Sequence, residues 1–254
     1  MTAGMGLAIA GLSKRFGESV VYDGFDLELP RDRFTAIFGP NGCGKSTLIN
    51  LVAGLMPRDA GVVTFGGRPI AEARLSYVFQ NYREALFPWL RAMGNIEYPL
   101  KLAGIGRAER RRRVEAIVDE FNIRIDLNRY PYELSGGQQQ TISILRAVIT
   151  EPEILFLDEP FSALDYELTL LMREQLQAIV QRRRMTTILV SHDLDEAVQL
   201  ADQVLLLTRR PTRVADVIAV ELPRPRTIEI LTNPDFVSAK QACLRVFREQ
   251  LGVG

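Results

Sequence analysis

Short apolar runs separated by polar segments recur along the chain, and they predict strands that are buried on both faces of a parallel sheet. A segment of buried helix would give a similar pattern, but runs of only about four residues favour strands. A different pattern precedes them, because Phe25, Leu27 and Leu29 alternate with acidic residues and stop at Pro30. This alternation predicts an antiparallel strand with one face in solvent. The buried runs are residues 35–38, 154–157, 187–190 and 204–207.

Helical spacing of apolar residues, at intervals of three and four, appears in the middle of the chain and predicts an inserted helical segment. Residues 168–184 show the same spacing, and their apolar stripe is expected to pack in the core. A third helical stretch, residues 237–251, has no functional counterpart in the sequence. The stripe of the inserted segment consists of Val114, Ile117, Val118 and Phe121.

The organisation of the chain is predicted to be simple, because neither internal repeats nor Ser/Gly-rich linkers interrupt it. Chains of this length commonly form one α/β domain. We therefore expect a single domain over residues 1–254, with a helical subdomain at about 93–150 and a C-terminal extension at 211–254.

Composition narrows the possible functions. Hydrophobic residues make up 47% and charged residues 24% of the 254 positions, which is typical of a globular protein. Lys plus Arg equals Asp plus Glu at 31 each, so no net charge attracts nucleic acid. Residues 110–113 are all Arg, but Glu109 and Glu115 flank them, which favours a solvated helix face over a nucleic-acid patch.

Neither a metal cluster nor a membrane span is indicated by the sequence. Cys43 and Cys243 lie far apart and have no CxxC partner or nearby His, so a disulfide framework or metal site is not predicted. No apolar run approaches the roughly 18 residues that cross a bilayer, and no basic leader precedes the first apolar stretch. Work at a membrane would therefore require a partner that holds the protein there.

A glycine-rich phosphate loop follows the first buried strand and precedes an apolar helix. Residues 39–47 read GPNGCGKST, which is a complete GxxxxGK[ST] pattern. Glycines let the backbone N–H groups converge on phosphates, and the helix N-terminus adds a favourable dipole. We expect Lys45 to contact the β- and γ-phosphates of ATP, and Ser46 to bind Mg²⁺. The predicted nucleotide-binding residues of this loop are Gly39, Asn41, Gly42, Cys43, Gly44, Lys45, Ser46 and Thr47.

Two acidic residues end the second buried run. Asp158 is expected to complete the Mg²⁺ shell, largely through water, because Mg²⁺ keeps much of its hydration. Glu159 lies one position further and is expected to act as general base toward the attacking water. The alternative is that both acids merely cap the strand before Pro160, but the upstream phosphate loop favours the metal interpretation.

Residues 134–138 read LSGGQ, which is similar to the signature motif of ATP-binding cassette (ABC) proteins. Ser135 can cap the helix that follows, leaving N–H groups for an anion. The resemblance implies that Ser135, Gly136, Gly137 and Gln138 bind the γ-phosphate held by the phosphate loop of a second subunit. It also implies an α/β fold: a P-loop NTPase core with a mostly parallel sheet, an N-terminal antiparallel β lobe and an inserted helical subdomain carrying the signature.

Further positions match the family in order. Gln80 matches the Q-loop glutamine, which implies contact with Mg²⁺ and a relay toward the membrane partner. Asp165 ends a D-loop match at residues 162–165. His192, the one histidine of the chain, matches the switch histidine, which implies a polar contact to the γ-phosphate. A lone histidine is more often structural, but this one follows a buried strand at the family's position.

An aromatic platform for adenine is expected near the N-terminus. Phe16 before Gly17 resembles the family's aromatic residue upstream of the phosphate loop, and stacking needs only an aromatic ring. Tyr22 is the alternative, although it is more easily explained as a strand residue packed inward.

The chain departs from the family after the signature. The family usually has a basic, Ala-rich helix there, whereas residues 139–147 read QQTISILRA. The phosphate-binding turn is intact, so ATP binding is expected to persist, but the contribution of this helix to the rate is left open.

Three segments resemble the importer group for nitrate, sulfonate, taurine and bicarbonate: residues 86–90 (LFPWL), 192–197 (HDLDEA) and 209–211 (RRP). The resemblance implies a small anion or sulfonate-type solute and a peripheral position on the cytoplasmic face of the inner membrane. Implied partners are a second ATPase subunit, identical or not, transmembrane permease subunits and an extracytoplasmic solute-binding protein. Phe87 and Trp89 are either anchors for the permease or local packing residues.

Two other classes of protein share some of these motifs. Soluble cassette ATPases of DNA repair or ribosomes tend to have coiled-coil insertions or tandem cassettes, and this sequence has neither. A cassette that binds ATP without hydrolysing it is disfavoured because Lys45, Glu159 and His192 are all present.

Overall fold

An antiparallel sheet forms the N-terminal lobe of the protein, whose computed structural model describes residues 6–251. Its strands are β1 (Leu7–Phe16), β2 (Ser19–Leu29), β4 (Ala60–Phe65) and β5 (Arg68–Pro69), in the order β2-β1-β4-β5. The predicted alternation in β2 is confirmed, because Phe25, Leu27 and Leu29 are buried and the residues between them are exposed.

A second sheet of six strands contains the predicted buried runs. Its order is β10-β9-β3-β8-β7-β6, and all neighbours are parallel except β10, which is antiparallel to β9. Edge strand β10 was not predicted, because its alternation is short and half of its residues are exposed. The strands are β3 (Phe34–Phe38), β6 (Leu75–Val78), β7 (Ile154–Asp158), β8 (Thr186–Val190), β9 (Gln203–Leu207) and β10 (Val214–Ala219).

Helices cover this sheet and form the predicted insert. Helix α1 (Lys45–Val52) follows the phosphate loop. The insert contains α3 (Ala92–Leu102), α4 (Arg107–Glu120) and α5 (Gly136–Val148), after the short helix α2 (Tyr82–Ala85). The remaining helices are α6 (Tyr166–Arg182), α7 (Leu194–Leu200) and α8 (Pro234–Leu251), and short 3₁₀ segments lie at Ile70–Glu72, Pro131–Glu133 and Ile228–Thr232.

Two hydrophobic clusters lie on opposite faces of the six-stranded sheet. On β7, Leu155 and Leu157 face the cluster built with the helical insert. Ile154 and Phe156 face the other cluster, shared with α1 and the antiparallel lobe. Both faces of the strand are therefore buried, which explains why its sequence is continuously apolar.

The arginine run on α4 is a solvated face, as predicted. Arg111, Arg112 and Arg113 are exposed and pair with carboxylates on the same helix, and such exposed pairs contribute little to stability, whereas the partly buried Arg110 pairs with Glu97 of α3. The pairs are Arg110–Glu97 (3.2 Å), Arg111–Glu115 (3.0 Å), Arg112–Glu109 (2.7 Å) and Arg113–Glu109 (2.7 Å).

The C-terminal extension is held to the core by a buried arginine. Arg226 is 2% exposed, and its guanidinium donates to five backbone carbonyls. Three of these carbonyls, at Val198, Gln199 and Ala201, belong to the C-terminal end of α7, where orphan carbonyls need donors. Burial lowers the pKa of Arg226 to about 10.

None of the helices within residues 6–251 is long and apolar enough to span a bilayer.

Candidate nucleotide-binding site

The predicted catalytic and metal-binding residues gather at one edge of the six-stranded sheet. Strands β3, β8, β7 and β6 are parallel neighbours, so their carboxyl ends lie together. The phosphate loop, His192, Asp158 and Gln80 all stand at or just beyond these ends. Ligands of open α/β sheets bind at this edge.

The phosphate loop is shaped by its glycines. Gly42 and Gly44 have left-handed φ values of +74° and +119°. A Cβ on Gly44 would lie 2.7 Å from Cγ1 of Val21, so a side chain there would clash as well as strain the backbone. Lys45 is buried, and its ammonium donates to the carbonyls of Gly39 (2.9 Å) and Pro40 (3.2 Å). The lysine charge thus lies inside the loop, beside amides that an anion would meet.

An oxygen pair suited to Mg²⁺ lies beside this loop. The Ser46 hydroxyl donates to Asp158 Oδ1 at 2.9 Å, and the Tyr77 hydroxyl donates to Asp158 Oδ2 at 3.2 Å. Burial raises the pKa of Asp158, and a nearby cation would offset this cost. Hydroxyl and carboxylate oxygens are ligands that Mg²⁺ prefers, so the residues fit the predicted ion. Tyr77 was not predicted, because a strand tyrosine gives no local sign of its partner.

Glu159 lies between two polar side chains. Its Oε2 accepts from Gln80 Nε2 at 3.0 Å and lies 3.2 Å from His192 Nδ1. Its backbone has the left-handed φ of +47°, a conformation that is rare outside glycine and that recurs at functional sites. Three residues predicted separately, Glu159, Gln80 and His192, are therefore brought together.

The signature segment begins a helix, as predicted. Ser135 Oγ accepts from the Gln138 amide, and Gln138 Oε1 accepts from the Ser135 amide, which completes a reciprocal capping box. Gly136 and Gly137 occupy the first two helical positions, whose amides have no acceptor within a helix. None of the hydrogen bonds and ion pairs among the described residues joins residues 134–138 to the phosphate loop.

Comparisons with known proteins identify the family. A sequence profile described as ABC transporter matches residues 22–162, more than half of the chain. The chain belongs to the ABC transporter family. It is an ATPase cassette of this family, which confirms the predicted enzyme class and fold.

Relatives of this cassette include importer subunits. It is 38% identical over 250 residues to the aliphatic sulfonates import ATP-binding protein SsuB of Bacillus licheniformis, covering 96% of this chain and 94% of that protein. It is 35% identical over 240 residues to the bicarbonate transport ATP-binding protein CmpC of Synechocystis sp., covering 92% of this chain and 36% of that protein.

A solved structure shares the fold of the cassette. It is the dimeric post-hydrolysis state of the ATP-binding cassette MJ0796 bound to ADP and Pi, with a TM-score of 0.76 and 25% identity. The match covers 85% of this chain and 100% of that chain.

The two candidate adenine platforms of the cassette differ in exposure. The ring of Phe16 is 47% exposed at the end of β1, with Lys14 Nζ 5.4 Å from its centroid. Tyr22 is fully buried, and its hydroxyl donates to the Gly44 carbonyl at 3.0 Å, so it offers no free face. The stacking of adenine on Phe16 stays a prediction. Tyr22 instead supports the phosphate loop through its hydrogen bond to Gly44.

Asp165 has a structural role as a helix cap, and residues of the unusual helix after the signature differ in their hydrogen bonding. Asp165 caps α6 by accepting from the Leu168 amide at 2.9 Å. On α5, Arg146 donates to the Ala85 carbonyl at 2.8 Å, whereas Gln140 is fully buried and its amide atoms have no partner among the described residues.

Proposed function

We propose that this cassette is the ATP-hydrolysing subunit of an importer for a small anion or sulfonate-type solute. The observation that carries the proposal is the nearly end-to-end match to SsuB, a protein named for aliphatic sulfonate import. The relative named for bicarbonate transport supports the same group of small anionic solutes. The motifs at residues 86–90, 192–197 and 209–211 agree with this assignment.

The geometry supports ATP hydrolysis with the following roles. Lys45 and the loop amides would hold the β- and γ-phosphates, and Mg²⁺, bound at Ser46, Asp158 and Gln80, would neutralise their charge. Glu159 would accept a proton from the attacking water. His192, whose ring lies beside Glu159, would contact the γ-phosphate. Tyr77 and Ser46 hold the two oxygens of Asp158 in place.

Pairing with a second ATPase subunit would complete the site. Among the described residues, no hydrogen bond or ion pair joins the N-terminus of α5 to the phosphate loop, and the Ser135 hydroxyl caps this end by accepting from the Gln138 amide. In a dimer they would meet the γ-phosphate bound by the phosphate loop of the partner, as helix N-termini meet anions elsewhere. The partner subunit is either a second copy or a related cassette.

Docking to permease subunits would place the cassette at the cytoplasmic face of the inner membrane. Trp89 is 71% exposed, and exposed tryptophans are frequent interface anchors. Phe87 packs locally, because its ring centroid lies 4.6 Å from that of Tyr98 and the guanidinium of Arg146 lies over it. Trp89 is therefore the better candidate for an anchor, and Phe87 supports it from a ring-centroid distance of 5.5 Å.

Reconstitution tests this function. The cassette would be placed in proteoliposomes with the permease subunits that co-purify with it and with a matching solute-binding protein. ATP-dependent uptake would be measured for taurine, an alkanesulfonate, nitrate and bicarbonate. We expect uptake of one of these solutes, and Trp89→Ala should weaken assembly with the permease. Leu102→Ala is a matched control, because Leu102 is 72% exposed on α3. A rate of ATP hydrolysis that does not change when the permease and the solute-binding protein are added would contradict the importer assignment.

A further inference from the structure

The ring of His192 is poorly anchored by itself. Its side chain is 62% exposed, and its one polar neighbour among the described residues is Glu159. A side chain with this exposure takes its position from the backbone that carries it, so the flanking residues determine where the ring lies.

Both flanks of His192 converge on one buried carboxylate and on the first turn of α7. Ser191 is 1% exposed, and its hydroxyl donates to Glu196 Oε2 at 2.7 Å. The Asp193 amide donates to Ser191 Oγ at 2.9 Å, which closes a tight turn around His192. Asp193 Oδ1 in turn caps α7 by accepting from the amides of Asp195 and Glu196.

Arg173 connects this turn to α6. It is 9% exposed, and its Nη2 lies 3.0 Å from Asp193 Oδ2 and 3.5 Å from Glu196 Oε2. Its guanidinium also lies 5.8 Å from the ring centroid of Phe161, in the segment between Glu159 and the cap of α6. One side chain of α6 therefore contacts both segments that flank the proposed hydrolytic residues.

Burying the polar atoms of Arg173 and Glu196 costs free energy, which argues against a role in stabilising the fold alone. Glu196 Oε1 and Arg173 Nε are buried without a partner among residues 6–251. Burial raises the pKa of Glu196 to about 7, against the opposing influence of Arg173 and Ser191. Buried ion pairs are weak contributors to stability compared with apolar packing. Specific placement of the neighbouring loop is a better explanation for these two residues.

We propose that Arg173 and Glu196 are positioning residues that tie the His192 loop to α6. Because Arg173 lies on α6 and contacts Asp193 and Glu196, a shift of α6 would carry the His192 turn with it. The proposal rests on the proposed function, in which His192 contacts the γ-phosphate.

Steady-state kinetics with variants of the full chain test the link. Glu196→Ala and Arg173→Met should lower kcat by roughly 10- to 100-fold, the scale of a misplaced catalytic group, while KM for ATP stays within about 3-fold. Arg182→Met is the matched control on the same helix, because Arg182 is 63% exposed and pairs with Glu120. It should retain the wild-type kcat.

A double-mutant comparison separates positioning from a general structural effect. Glu196→Ala should cause no further loss in a His192→Ala background, because the residue that it positions is already gone. An equal loss in both backgrounds would overturn the proposal. Glu196→Gln can still accept the Ser191 hydrogen bond and should restore most of the turnover, which gives an answer even if the alanine variant folds poorly.

Failure of the link and failure of the proposed function give different results. Wild-type kcat in Glu196→Ala and Arg173→Met, together with an impaired His192→Ala, would overturn the link alone. Wild-type kcat in His192→Ala would instead contradict the role proposed for His192.

Discussion

The two halves of the proposed nucleotide site differ in how much of their surroundings one chain supplies. In the phosphate-loop half, side chains from different strand ends meet one another: Ser46 meets Asp158, and Glu159 meets Gln80 and His192. In the signature half, no hydrogen bond or ion pair among the described residues joins the helix N-terminus to the phosphate loop, and its neighbours are the Ser135 cap, Tyr82 and Leu164. In the first half, folding of one chain brings the interacting side chains together. In the second half, folding forms the helix N-terminus, and association with a second subunit would complete the site.

This difference has a physical basis in how each half is built. Neighbouring parallel strands end at the same edge of the sheet, so residues that are distant in sequence meet there. A capped helix N-terminus needs only local sequence, and it presents its amides to whatever lies beyond. Substitutions in each half therefore test whether one chain or two supply the residues of that half.

The largest effect is expected at the base of the phosphate-loop half. Glu159→Gln should lower turnover by roughly 10²- to 10⁴-fold, because a positioned general base is lost. ATP affinity should be retained, since the loop and Ser46 are unchanged, and ATP-bound dimers should accumulate. Turnover is measured by phosphate release and dimers by sedimentation. Wild-type turnover in this variant would remove Glu159 from the mechanism.

The signature half should be equally necessary for hydrolysis but not for binding. Ser135→Arg places a bulky cation where amides would meet the γ-phosphate, and hydrolysis should fall by roughly 10²- to 10³-fold. Binding of a fluorescent ATP analogue to the phosphate loop should stay near the wild-type level.

Sharing between subunits can be tested with the same variant. An excess of Ser135→Arg mixed with Lys45→Ala contains dimers in which one intact loop faces one intact signature, so hydrolysis should partly recover. Specific activity of the wild type should also rise with protein concentration. Constant specific activity where sedimentation finds only monomer would contradict the shared site.

Lys45→Ala isolates the ground-state role of the phosphate loop. Affinity for ATP should fall roughly 10- to 100-fold, because a charge-assisted hydrogen bond to the phosphates is lost. Hydrolysis by this variant alone should be lost with it. Titration with a fluorescent analogue measures the change, and Ser135→Arg is its natural counterpart. If Lys45→Ala and Ser135→Arg bound ATP with equal affinity, the two halves would not differ in their contribution to ATP binding.

The sequence pattern predicted the phosphate loop, Asp158 and Glu159, because each lies directly after a buried strand or at its end, whereas Gln80 and His192 were assigned from the resemblance to the family. It also predicted the cap of Ser135, which depends on Gln138 three residues away. Contacts between distant segments gave no such signal: Arg173 meets Asp193 and Glu196 across two helices, and Arg226 reaches the end of α7 from the C-terminal extension. Their partners depend on packing, which periodicity does not specify.

The smallest effect is expected at the adenine. Phe16→Ala should weaken ATP binding by about 2- to 10-fold, which is the scale of one stacking contact, and should leave the turnover of saturated enzyme nearly unchanged. Tyr22→Phe is the matched comparison, because it removes the hydroxyl that donates to the Gly44 carbonyl while the buried ring remains. That variant should lose about 1 kcal/mol of unfolding free energy and little affinity. Competition titrations of ATP against a fluorescent analogue, together with thermal melting, separate the two outcomes. If Tyr22→Phe lost more affinity than Phe16→Ala, the support of the phosphate loop from behind would matter more than stacking, and the exposed ring of Phe16 would need another partner.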